Sequence, residues 1–368
     1  MRIHILDKYI FKEVFKTFIF GICAFSAVFI GSGTLFRIAQ YITEYGASIP
    51  SVIKIFVLSL PGVIIWTFPM SMLLASLLTI GRLSGNSEIT AMKSCGISFY
   101  RIAFPPIVLG ILVSIFAVMF NEYVVPWANQ AYSNVLEYEI KGNLSPQSQE
   151  HIIIKEIKEG KIEKLVYARQ FVADTNTMEG IAMQAFENGE LKHVENAEYA
   201  EWKDNMWTMH NGMIYDVTNG QNQHTMKFDT QVLPINESPK QIVQSQKKPE
   251  QMTMKELGEQ INIMKSQYVN TNKLETELHQ RVTVPMASLI FTLVGVPLGM
   301  QPNRNSSSMG FVMSIIIIFI YYSLMTMAGA IARSGAINPM LAVWLPNIIG
   351  LLAGGYLMRR MSKSNVFF

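Results

Sequence analysis

The chain has 368 residues, of which 50% are hydrophobic and only 15% charged, with a mean hydropathy of +0.24 and a net charge of +3. That is too little charge for an ordinary soluble enzyme, and it excludes a disordered, collagenous or disulfide-stapled chain. The charge is also uneven: residues 126–250 hold 12 Lys/Arg against 18 Asp/Glu, so an acidic segment sits inside an otherwise basic chain and two environments are implied.

Six stretches lack any Asp, Glu, Lys or Arg: Thr17–Phe36, Ile55–Gly81, Ile102–Asn121, Val282–Asn303, Asn305–Ala332 and Ser334–Met358. Each is long enough to span a bilayer, which takes about 20 residues of helix. The first is too long for the core of a cleaved signal peptide, and five more follow it. With the N-terminus inside, eleven basic residues fall in the inner short segments, from Arg2 and Lys8 to Arg360 and Lys363. Only Arg37, Lys54 and Arg333 fall in the outer ones, so the positive-inside rule places both termini in the cytoplasm and residues 126–281 outside.

The loop between the second and third spans runs from Gly81 to Ser98. Asn86 or Ser87 is placed to cap a short helix over about 83–97, with Glu88 in its first turn and Gly96 at its end. Leu83, Ile89 and Met92 are its apolar residues, and one acid is presented, the form of a cytoplasmic knob for another protein.

Between Ile152 and Val217, β-branched and aromatic runs alternate with turn residues, predicting short antiparallel strands in a sandwich or jelly roll. Asn188-Gly189, Asn211-Gly212 and Asn219-Gly220 read as hairpin or loop signals. Pro234–Pro249 reads as a polar connector, and Thr253 with Glu256 has the spacing of a capping box. Met254, Leu257, Ile261 and Met264 then recur at helical spacing, predicting an amphipathic helix that leads back to the membrane.

No P-loop, His-Glu-x-x-His or Gly-x-Ser-x-Gly pattern occurs, and no cofactor or metal-ligand constellation is visible. Energy for any transport therefore has to come from a partner. Other polar landmarks are Asn121-Glu122 with Pro126, Arg281 with Pro285, and Trp344-Leu345-Pro346-Asn347. Gly295 with Gly299 and Gly350 with Gly354 have the spacing for close helix contact, within the chain or in a dimer.

Taken in order, these features resemble the LptF/LptG permease family: Leu6-Asp7-Lys8-Tyr9, the Glu88 loop ending Ser94-Cys95-Gly96-Ile97-Ser98, Asn121-Glu122, Arg281 with Pro285, Pro297-Leu298-Gly299, and Trp344-Leu345-Pro346-Asn347. The resemblance implies six transmembrane helices plus an inserted all-β periplasmic jellyroll-like domain. The expected units are residues 1–126 with spans one to three, 127–250 as the β domain, 251–281 as the connector helix and 282–368 with spans four to six.

It further implies an inner-membrane permease subunit that exports lipopolysaccharide. Its partners would be a cytoplasmic ABC ATPase, a second permease of the same type and a periplasmic bridge protein of like β-fold, with no nucleic acid. ATPase coupling is expected at Leu83, Glu88, Ile89 and Met92, and substrate contact at Arg37 and Arg333. The family's basic residues near the outer end of the first span reduce here to Arg37. Two other classes stay open on sequence alone: a non-transporting scaffold, and a membrane-embedded lipid-modifying enzyme.

Overall fold

The computed structural model describes residues 5–141, 149–158, 161–173, 175–187, 190–218, 221–235, 237–239, 241–242, 246–266, 268–300 and 307–364. The chain divides into two compact units, residues 1–140 with 249–368, and residues 141–248.

The first unit is helical. Helix α1 (Ile5–Phe29) runs through one wide turn, Ile30–Thr34, into α2 (Leu35–Tyr45). Gly46 closes α2 at a φ of 62°, a backbone that glycine adopts without strain. Then follow α3 (Ile49–Gly85), α4 (Glu88–Ser94) and α5 (Phe99–Asn134), which continues as a wide helix through Val135–Ile140. After the β unit come a short turn Pro249–Gln251, α6 (Met254–Ser266), α7 (Asn272–Gly299), α8 (Ser307–Ser334) and α9 (Pro339–Ser364).

Six of these helical rods are long and apolar enough to cross a membrane. The 37 residues of α3 reach about 55 Å, well beyond a hydrocarbon core of about 30 Å, so its ends project into the polar layers. The third rod passes Pro126 and ends at Ile140, so residues 127–140 group with the helices and not with the β unit, later than the boundary expected from sequence.

Close helix contacts explain the glycine pairs. A Cβ on Gly295 would stand 2.8 Å from the Ser76 Cβ, and one on Gly350 would stand 2.6 Å from an Ile290 methyl. The α7 pair therefore serves the contact with α3 and the α9 pair the contact with α7, both within the chain.

The second unit is one antiparallel sheet of β1 (Gln149–Lys158), β2 (Lys161–Val172), β3 (Thr177–Glu187), β4 (Glu190–Lys203), β5 (Met206–Thr218) and β6 (Gln221–Leu233). Each strand pairs with its chain neighbour, so the connections are those of a meander, simpler than a sandwich or jelly roll of separate sheets. The sheet still forms an enclosed core. His151, Gly180 and Asn211, on β1, β3 and β5, share one cross-strand row and all have positive φ. Across that row the buried set changes phase: Ala168 and Phe171, Ile181 and Met178, and Ala197 and Ala200 are all buried at a spacing of three, where a regular strand repeats every two. The row is a sheet-wide kink.

The kink corrects one sequence expectation. Asn211-Gly212 is no turn but the kink itself, and the Phe228 ring covers Gly212 so closely that a Cβ there would stand 2.0 Å from it. The turn between β4 and β5 is Asp204-Asn205, with φ of 54° and 63°, between the paired Lys203 and Met206. Asn188-Gly189 and Asn219-Gly220 lie outside the described residues. On the edge strand β1, the Gln246 amide bonds both the N–H and the C=O of Ile153 (3.2 and 3.0 Å) and so covers backbone groups that would otherwise invite another strand.

Candidate functional site

On α5, the Asn121 Nδ2 donates to the Arg281 carbonyl at 3.1 Å. That carbonyl lies four residues before Pro285, which has no N–H to return to it, so Asn121 satisfies a group the proline leaves open. The next residue, Glu122, accepts the N–H of Met254 at 2.8 Å and so faces the positive end of α6. The capping box forms as expected: the Thr253 N–H donates to Glu256 at 2.8 Å, and the Glu256 N–H donates to the Thr253 hydroxyl at 3.2 Å.

Arg281 is buried and donates to the carbonyls of Met252 and Pro249, with the Glu277 carboxylate 3.7 Å from its Nε. Deeper in, Asn347 donates to the Thr283 carbonyl at 2.9 Å and accepts from the Tyr321 hydroxyl. The polar landmarks of the sequence thus form one brace around the segment that returns to the fourth span. A cavity of about 250 Å³ opens beside it, lined by Trp66, Asn121, Asn129, Glu277 and Arg281 among others.

Trp66 also borders a larger cavity of about 720 Å³ between α1, α3 and α8. Its walls are Phe29, Trp66, Met70, Ile315, Ile318, Phe319 and Met327, with Tyr322, Ser323 and Thr326 adding hydroxyl groups to the lining. The size falls in the range of ligand cavities, about 300–1,000 Å³, and the lining suits hydrocarbon. Tyr322 fixes one wall by donating to the Trp66 carbonyl at 3.1 Å.

Arg37 stands exposed on α2, the helix that continues α1 past the groove residue Phe29. One turn along the same helix, the Tyr41 hydroxyl lies 3.0 Å from the hydroxyl of Tyr132. Arg333 is exposed on the last turn of α8. The two arginines stand on different helices, and no contact between them is recorded among the described residues.

At the opposite ends of α1 and α3, Glu88 opens α4 and accepts from the Tyr9 hydroxyl at 2.9 Å and from Asn86 at 3.4 Å. Arg101 pairs with Asp7 at 2.6 Å, and Arg82 pairs with Glu13, so α5 and α3, which flank α4 in the chain, are also tied to α1. Gly96, at a φ of 82°, ends α4 as expected, but Ser87 takes a left-handed backbone and its side chain caps nothing. Leu83 and Ile89 are 1% and 2% exposed and pack with Ile10, Val14 and Phe99, while Met92 is half-buried against the same cluster. These three anchor α4 to its own bundle; Thr90, Ala91 and Ser94 form its outward face. Half-burial also lowers the Lys93 ammonium below the usual lysine range.

Sequence reasoning missed the Tyr41–Tyr132 pair and the groove, because both join residues far apart in the chain. The only available signal for the pair was the position of Tyr41 one turn after Arg37.

Six membrane-length helices, an inserted antiparallel sheet and an apolar groove between the first, second and fifth rods define a polytopic permease-type membrane protein. The chain belongs to the family described as lipopolysaccharide export system permease LptF/LptG, whose match covers residues 8–360. It is 23% identical to the lipopolysaccharide export system permease protein LptG of Escherichia coli K12, over 97% of this chain and 99% of that protein. Identity to LptG of Haemophilus influenzae is 21% at the same coverage. To LptF of Escherichia coli K12 it is 20%, over 82% of this chain and 80% of that protein.

Proposed function

We propose that this chain is a permease subunit of an inner-membrane machine that extracts lipopolysaccharide and passes it toward the outer membrane. The observation that carries the reading is the 720 Å³ apolar groove between α1, α3 and α8, with Arg37 exposed on the helix that continues α1. Acyl chains fit walls of Phe, Ile and Met; a phosphate needs a cation at headgroup depth, where an arginine head reaches the polar layer at little cost. Arg333 serves as the second cation.

In this reading both termini are cytoplasmic, the β unit is periplasmic, and the interior of the folded sheet receives acyl chains before a bridge protein of like β-fold takes them on. A second LptF/LptG-type permease completes the cavity, and a cytoplasmic ABC ATPase supplies the energy by docking on α4. Glu88 and the outward face of α4 make that contact, with Leu83, Ile89 and Met92 holding the helix in place.

The test is purification from native membranes with mass spectrometry of the bound proteins and lipids. An ATPase, a second permease and a phosphorylated glycolipid are expected together. Recovery of the chain with neither ATPase nor glycolipid would refute the transport reading and favour a scaffold.

A further inference from the structure

Among the described residues, Glu195 is the one buried acid, 5% exposed on the inward face of β4. Its register neighbours on that face are Met183 on β3 and Ile214 on β5, both apolar. Its Oε2 accepts from the Gln231 Nε2 of β6 at 3.1 Å, and the His193 ring lies 3.8 Å from its Oε1.

The register shows how far this bond reaches. Glu195 pairs with Ile214, and Ile214 pairs with Met226, so Gln231 lies five residues further along β6 than the position level with Glu195. In a flat sheet, five residues at about 3.3 Å and two strand spacings of about 4.8 Å would separate the backbones by about 19 Å, more than two side chains bridge. The kink row lies between the two positions, so the sheet folds there and the bond crosses the interior from one half to the other. Within the half that holds Gln231 the sheet also curls across its strands: Phe171 of β2 and Trp207 of β5 stand three strands apart, yet their ring centroids are 6.4 Å apart.

A polar bond across a largely apolar interior is directional, and losing Gln231 leaves the buried Oε2 of Glu195 without its donor. We propose that the Glu195–Gln231 bond is a strap that holds the two halves of the β unit together and closes its interior to acyl chains until it parts. The closing role rests on the reading that this interior carries lipid; the hold on the fold does not.

The two parts are tested separately on the full-length protein in nanodiscs, with Cys23 and Cys95 replaced by serine. Nitroxides on Asn196→Cys and Val232→Cys, exposed positions on β4 and β6 in opposite halves, report the fold. Gln231→Leu should lengthen their separation by about one strand spacing, ~5 Å. Glu195→Met, which fills similar space without an acceptor, should do the same, whereas Glu195→Gln keeps an acceptor and should match the unsubstituted pair. An unchanged separation in both Gln231→Leu and Glu195→Met overturns the strap.

The second arm uses a diazirine-bearing palmitate, with labelled peptides mapped by mass spectrometry. Labelling of the β unit should rise several-fold in Gln231→Leu while labelling of α8 at the groove stays constant. Equal β-unit labelling with the strap intact and broken overturns the closure. Labelling of the groove alone in every variant removes the acyl path, and the closure with it, while the hold on the fold stands or falls by the nitroxide distance.

Discussion

Replacing Arg281 with methionine keeps much of its volume and removes every donor. Two carbonyls then lose their partner: that of Met252 is buried, and that of Pro249 is half-exposed and can turn to water. An orphaned buried acceptor costs about 1–3 kcal/mol, and the half-exposed one costs less, so the brace should weaken by about 2–4 kcal/mol. The loss falls on the segment from Pro249 to the first turn of α6, which Glu122 and the capping box still hold from the other side. Local opening is therefore the expected response, read as amide hydrogen exchange of the peptide spanning 252–258 in the full-length protein. A 2 kcal/mol loss corresponds to about 30-fold faster exchange. Arg281→Lys, which keeps a single donor nitrogen in place of the guanidinium fork, should fall between. Exchange within about threefold of the unsubstituted protein would mean that Arg281 carries little of the brace and that its carbonyl contacts are incidental.

Three further outcomes are expected. Glu88→Lys should reduce ATPase copurification while the permease still inserts; Tyr9→Phe, which removes only the bond from α1, separates docking from latching, since equal losses in both variants would assign Glu88 to the latch alone. Arg37→Ala should weaken photocrosslinking to a phosphorylated glycolipid several-fold more than to its dephosphorylated form, and equal losses would leave Arg37 as a depth anchor. Burial holds the Glu195 carboxyl above its ordinary 4.5, with the nearby His193 and the Gln231 bond opposing the shift, so the folded unit keeps a proton that the unfolded chain has released. Its stability contribution is full below pH 4.5 and is lost as pH rises through the folded value. Unfolding followed by Trp202 and Trp207 fluorescence should show that fall, and Glu195→Gln should flatten it; an unchanged profile in the variant would place the titration elsewhere.

The spans were legible because a bilayer imposes a one-dimensional rule: a run of about 20 uncharged residues is visible without knowing any neighbour. What that rule reports is hydrocarbon thickness, not helix length. The third rod therefore continues through Glu137 and Glu139 to Ile140, where Glu139 pairs with Lys54 at 2.8 Å, although the charge-free run stops at Asn121. The capping box at Thr253 and the end of α4 at Gly96 were legible for the same reason, as each is decided within a few residues.

Asn211-Gly212 shows where local reasoning divides. Positive φ is what a two-residue turn needs and also what a strand needs in order to bend, so the same pair of residues serves either, and only the partner strands decide. Here β4 and β6 flank Asn211 on both sides, His151 and Gly180 take up the same row, and the kink turns a meander into a folded sheet with an interior. The apolar residues of the α4 loop divide in a similar way. Their spacing correctly marks one face of a helix, but spacing is symmetric between a face turned to a partner and a face turned to the chain's own bundle. Ile10, Val14 and Phe99 break that symmetry from positions that no window around residue 89 contains. The groove follows the same logic: Phe29, Trp66 and Ile318 are ordinary apolar span residues until three helices bring them to one wall, and the polar residues near them become informative only once the carbonyls they serve are known. Sequence thus gives the elements, while the place where a lipid could sit is a property of contacts between distant residues.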